Sequence, residues 1–118
     1  MSEGRGEPYR IVSGHRATYP DPLKVHAGDA LRVGDTDEDN DAWAWCTGPS
    51  GKSGWMPRVY FEGDGENGTA LRDYDAVELS VDAGEELTVY RKESGWVWAR
   101  DAAGRLGWVP LECVERVA

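Results

Sequence analysis

The sequence predicts an all-β protein built from two tandem small units. Three observations carry this: an internal repeat, a period-two alternation of apolar residues, and no stretch of helical period. Residues 23–33 read LKVHAGDALRV and residues 79–89 read LSVDAGEELTV, identical at six of eleven positions at an offset of 56. WAW at Trp43 to Trp45 answers WVW at Trp96 to Trp98, and GKSGWMP at Gly51 to Pro57 answers GRLGWVP at Gly104 to Pro110. The offset there is 53, so the first copy carries three extra residues. They fall in the acidic stretch 35–41, as a loop insertion would. Self-similarity at a fixed period marks repeated structural units.

The elements follow in order within each copy of about 55 residues. Leu31 and Val33, like Leu87 and Val89, alternate with polar neighbours, the pattern of a half-buried strand. Ala27, Gly28 and Asp29, and their counterparts Ala83, Gly84 and Glu85, read as tight turns with a glycine at positive φ. The tryptophan-rich segments at Trp43 and Trp96 read as strands. Hairpin turns are expected at Gly48 to Gly51 and at Ala102 to Gly104. Pro57 and Pro110 close strands and predict a short 3₁₀ turn before a last strand. Short strands with frequent turn signals indicate barrels or sandwiches. Residues 63–68, GDGENG, have little to bury and read as a flexible linker between units 9–62 and 69–117. Residues 1–8 read as a flexible N-terminal tail.

Composition bounds the function. The 118 residues include six Trp and five Tyr, large apolar surfaces that a short chain must bury, so the chain is not disordered. The net charge is −9, with residues 1–62 at 10 acids to 7 bases and residues 63–118 at 12 to 6. An acidic surface argues against nucleic acid and anionic membranes as partners. No apolar run is long enough to span a bilayer, and the N-terminus lacks the apolar core of a signal peptide, so a cytoplasmic setting is expected. Cys46 and Cys113 are too few for a disulfide framework and lack metal-site spacing. Cys46 is expected to be small and buried, and Cys113 to be partly exposed. His15 and His26 are expected at the surface. No nucleophile, metal or phosphate-binding motif is present, so no catalytic residue, metal or cofactor is expected.

The second copy then reads ALRDYDA, ELSVDAGEEL, SGWVWAR and GWVPLECV. These blocks resemble the Src-homology-3 (SH3) pattern over residues 69–117, and the first copy resembles it from Leu23 onward. The tandem is also similar to small bacterial SH3-domain proteins. The resemblance implies two tandem small SH3-like five-stranded barrels, each with an aromatic groove for a polyproline II segment and an acidic pocket for its Arg or Lys. A ligand of that kind is already extended and loses little entropy on docking. Carried over within each copy, the groove of the first falls on Trp43, Pro57 and Tyr60, with Asp21 and Asp37 in its loops. The groove of the second falls on Tyr74, Trp96 and Pro110, with Glu78 beside it and Trp108 as wall or packing. In the second copy Arg72 and Cys113 stand where the family has tyrosines. In the first, counting back from Leu23 puts Ser13 and His15 at the two early tyrosines, with Tyr9 and Tyr19 as alternatives. Trp43 and Trp96 are expected to face outward, because Ala44 and Val97 should face in. The expected function is non-catalytic binding of an extended, Pro-containing basic protein segment. The alternative is an assembly subunit whose grooves are filled by the other barrel or another chain.

Overall fold

A computed structural model describes residues 5–18, 21–37 and 41–117. The first copy contributes β1 (Glu7–Ile11), β2 (Lys24–Val25), β3 (Ala30–Thr36), β4 (Trp43–Thr47), β5 (Ser53–Pro57) and β6 (Phe61–Asp64). The second contributes β7 (Asn67–Ala70), β8 (Tyr74–Asp75), β9 (Glu86–Glu93), β10 (Trp96–Arg100), β11 (Leu106–Pro110) and β12 (Val114–Arg116). A 3₁₀ turn follows each groove proline, at Arg58–Tyr60 and Leu111–Cys113. The strand, turn and 3₁₀ expectations agree with this. Gly28 and Gly84 take φ of 92° and 97° in the expected tight turns.

The two compact units are not the two copies. One comprises residues 1–18 with 77–118; the other comprises residues 19–76. Each holds a five-stranded antiparallel sheet, ordered β11-β10-β9-β1-β12 in the first unit and β5-β4-β3-β7-β6 in the second. The copies have therefore exchanged their first strands. In the first unit β1 lies between β9 and β12, with Tyr9 opposite both Leu87 and Arg116. In the second, β7 lies between β3 and β6, with Thr69 opposite both Ala30 and Glu62. The exchange reaches into the following loops. Val25 pairs Tyr74 across β2 and β8, and His15 forms a bridge with Val81.

The cause is the connection between the copies, where the structure corrects the linker reading. Residues 63–68 turn β6 back on β7, with Gly63 opposite Gly68 and Asp64 opposite Asn67. Gly65 takes φ of 62° at the tip. A side chain at Gly63 would place its Cβ 2.1 Å from the Asn67 carbonyl oxygen, so the close approach requires glycine there. Such a tight turn returns the chain to the strand it has just left. The first strand of the second copy thus stays with the first copy's barrel, and β1 takes the vacant place in the other. The boundaries 9–62 and 69–117 delimit the repeats and not the compact units. The tail reading also shortens: Glu7 and Pro8 belong to β1, and residues 1–4 lie outside the described residues.

The core of the first unit joins Tyr9 and Ile11 of β1 to Leu79, Val81, Leu87, Val89, Val97, Ala99, Val109 and Val114. In the second unit Leu23, Val25, Leu31, Ala44, Cys46 and Met56 are buried beside Ala70 of β7. Cys46 is the small buried residue expected, and burial pushes its thiol up to about 11.

The β10–β11 turn is tied by one buried carboxylate. Asp101 accepts from the backbone N–H of Ala103 (3.0 Å) and Arg105 (2.9 Å) and from Arg105 Nε (2.8 Å). Burial alone would raise its pKa, but the bonds from Arg105 and Ala103 outweigh that and hold it below the ordinary value. Because the folded value is depressed, its stabilisation is complete above the unfolded value of about 3.9 and is lost as pH falls through the folded one. Asp101→Asn should flatten the acid limb of the unfolding curve followed by tryptophan fluorescence. Asp101→Ala should cost about 1–3 kcal/mol in urea unfolding at neutral pH, because it leaves the turn's donors unpaired. An unchanged acid limb would show that the carboxylate carries no such stabilisation.

Candidate functional site

The exchange sorts the groove residues in a way that neither copy shows alone. Trp43, Pro57 and Tyr60 of the first copy share the second unit with Tyr74 of the second copy. β4 and β5 set Trp43 opposite Pro57. The rings of Tyr60 and Tyr74 meet edge-on at 5.6 Å, and Tyr74 OH donates to the Trp55 carbonyl at 2.6 Å. Arg72, in place of the family's tyrosine, holds its guanidinium 4.7 Å from the Tyr60 ring centroid.

This aromatic group is sealed. Trp43 is 5% exposed, Tyr60 5% and Tyr74 6%, and Pro57 is fully buried. The expectation that Trp43 faces outward is corrected: it and Ala44 are both buried. Strand alternation puts the two side chains on opposite faces, yet both faces are covered here, and Trp43 sits across from a proline that is itself enclosed. Asp21 is exposed and is not placed with the group: its carboxylate lies 3.0 Å from Lys52 Nζ, in the turn between β4 and β5. Asp37 is half-buried, and its N–H donates to the Trp43 carbonyl at 3.0 Å. Glu38 and Asp39 of the acidic run lie outside the described residues.

The first unit holds the less buried counterpart. Trp96 and Pro110 face each other across β10 and β11, and both are half-buried. Across from them the exchanged segment brings His15, whose ring meets Trp96 edge-on at 5.6 Å. His15 Nε2 lies 2.7 Å from Glu78 Oε1, and these side chains are 18% and 12% exposed. The expectation of a surface His15 is corrected: its bridge to Val81 turns the ring toward Glu78 and Trp96. His26 is exposed as expected. Cys113 is 6% exposed, not the partly open thiol expected, because the 3₁₀ turn packs it into the core; burial and the Glu112 charge push its thiol up. Trp108 is packing: it is 4% exposed and tilted against Trp98 at 5.3 Å. Trp45 and Trp55 form the same cross-strand pair in the second unit, 5.2 Å apart.

Trp96 owes its position to a tight turn. Ser94 and Gly95 take φ of 49° and 93°, the signature of a two-residue hairpin loop between β9 and β10. The matching loop of the second unit is longer. The first unit therefore brings together a half-buried indole, a proline and a carboxylate paired with an imidazole. Counting back from Leu23 places His15 at a groove position, and that count is the signal in the sequence for its enclosure.

Comparison with known proteins places the same pattern twice. The variant SH3 domain family matches residues 8–64 and again residues 61–117. SH3 and multiple ankyrin repeat domains protein 1 of Homo sapiens is 33% identical over 64 residues, covering 52% of this chain and 3% of that protein. The Mus musculus and Rattus norvegicus proteins of that name match to the same extent. The chain thus spans a small fraction of the relatives' length.

Proposed function

The chain belongs to the variant SH3 domain family, whose members are protein-interaction modules, and from this premise we propose that it is a non-catalytic binding protein whose first unit holds an extended, Pro-containing basic segment of a partner. The observation that carries this reading is the half-buried Trp96 opposite Pro110, with His15 against its ring and paired in turn with Glu78. An indole face suits a proline ring or a cation, and Glu78 supplies the charge that orients a ligand Arg or Lys. The second unit fits the packing alternative better, since its Trp43, Pro57, Tyr60 and Tyr74 are buried. The net charge of −9 supports a protein partner over nucleic acid or an anionic membrane. Two buried free thiols are compatible with a cytoplasmic setting.

A peptide array followed by titration at two salt concentrations tests the reading. Basic Pro-containing peptides should bind weakly, and more weakly as salt rises, because exposed charges are screened over about 8–10 Å near physiological ionic strength. Glu78→Gln should lower affinity and flatten the salt dependence. If the best binders are acidic, or if binding is indifferent to both Glu78→Gln and Trp96→Ala, the groove reading fails.

A further inference from the structure

We propose that the second unit carries a separate docking surface for an acidic, apolar-containing segment of a partner protein, built from Arg58, Val59, Leu71 and Arg72. Val59 and Leu71 are the most exposed large apolar side chains among the described residues, at 70% and 51%. They are neighbours, because Leu71 N–H donates to the Tyr60 carbonyl at 2.8 Å at the end of the 3₁₀ turn that bears Val59. Arg58 and Arg72 adjoin them in the chain.

Among the described residues neither guanidinium makes a salt bridge to a carboxylate. Arg58 Nη1 donates to a neutral hydroxyl, Thr36 Oγ1, at 3.1 Å. Arg72 rests on the Tyr60 ring, and its Nε is buried without a hydrogen-bond partner among the described residues. Asp73, next in the chain, engages other partners first: its carboxylate accepts from Ala27 N–H at 2.9 Å and lies 3.6 Å from His26 Nδ1, and the Arg72 charge acts on it more weakly. Stacking on the tyrosine holds the Arg72 fork in place, so less freedom is lost when it meets a carboxylate. Two cations beside exposed apolar side chains are out of character for a chain of net charge −9.

The corresponding positions of the first unit sharpen the contrast. There Leu111, Glu112, Val12 and Ser13 stand in place of Arg58, Val59, Leu71 and Arg72. The repeat geometry is shared: Val12 N–H donates to the Cys113 carbonyl at 2.8 Å, as Leu71 does to Tyr60. The backbone places both patches alike, and the side chains give them opposite charge. Charge complementarity therefore assigns an acidic occupant to the second unit. This surface shares no residue with the first unit's groove, so the two readings stand or fall separately.

The test is fluorescence anisotropy of a labelled short peptide of alternating Glu and Leu, with its Lys-for-Glu counterpart, titrated against the full chain at low salt. The Glu peptide should bind and the Lys peptide should not compete with it. Arg58→Glu and Arg72→Glu should each weaken binding about three- to fivefold, and together about tenfold or more. Val59→Ser should weaken it without altering its salt dependence. Trp96→Ala should leave it unchanged. Arg72→Gln keeps the stem on Tyr60 and guards against a folding defect; it should still weaken binding. Undiminished binding by the Arg58→Glu, Arg72→Glu double variant overturns the proposal. So does a chain that self-associates in sedimentation velocity and becomes monomeric with Arg72→Glu, which would assign the surface to a second copy.

Discussion

Ile11→Ala will destabilise the barrel that contains Trp96 and spare the one that contains Trp43. By repeat order Ile11 belongs with Trp43, so the result separates the exchanged fold from a contiguous one. Ile11 is 1% exposed, sits opposite Val114 of β12, and donates its N–H to the Glu85 carbonyl at 2.8 Å. Removing a buried branched side chain costs its transfer energy plus a cavity term, about 2–5 kcal/mol. Small domains hold about 5–15 kcal/mol in total, so the loss brings one barrel near its unfolding threshold. Amide hydrogen exchange reads the location directly. Protection should fall at Val97, Val109 and Leu87, and persist at Leu31, Ala44 and Met56. The reverse pattern would mean that β1 pairs within its own copy.

Substituting the two groove tryptophans should separate stability from binding. Trp43 is 5% exposed, so Trp43→Ala opens a cavity and should cost about 3–5 kcal/mol. Trp96 is half-buried and belongs to the proposed binding site. Trp96→Ala should cost less stability but about 2 kcal/mol or more of ligand binding, the loss typical of an aromatic anchor, whereas Asp37→Ala at a loop should cost about 0–1 kcal/mol. Urea unfolding and peptide titration of the same variants decide the matter. Trp43→Ala that leaves the urea midpoint unmoved would show that the second unit's aromatic cluster is not closed packing. Equal effects of both substitutions on binding would return both grooves to service.

Much of this architecture is readable from the chain. Alternation at Leu31 and Val33, glycine at 28 and 84, and the prolines before each 3₁₀ turn are local signals, and local geometry obeys them. The strand exchange is not local. Both copies carry the same alternation, so β1 meets the needs of either barrel, and hydrophobic pattern alone cannot choose between them. The choice rests in residues 63–68, where glycine, Asp and Asn suit a linker and a tight hairpin equally well. The grouping of the aromatic residues is hidden for the same reason. Read within each copy, Tyr74 belongs with Trp96 and His15 with Trp43; in the fold each changes partner, joining Tyr60 and Trp96 respectively. The burial of Trp43 was hidden differently, since strand alternation predicts the face of a side chain but not whether that face is covered.

The strand exchange also dictates how the molecule would respond to being pulled by its ends. β1 and β12, the outermost described strands in chain order, both belong to the first unit, where they run antiparallel with Tyr9 opposite Arg116, and Val117 N–H reaches the Pro8 carbonyl at 3.1 Å. Tension drawn from the neighbouring ends of such a pair peels its hydrogen bonds one after another instead of shearing them together. The first unit therefore opens at low force. The second unit is a loop within it, spanning residues 19–76, and carries no load until β1 has left the sheet. In a force-extension trace the barrel of Trp96 would yield first and shield the barrel of Trp43, an order imposed by threading and independent of which barrel is the more stable.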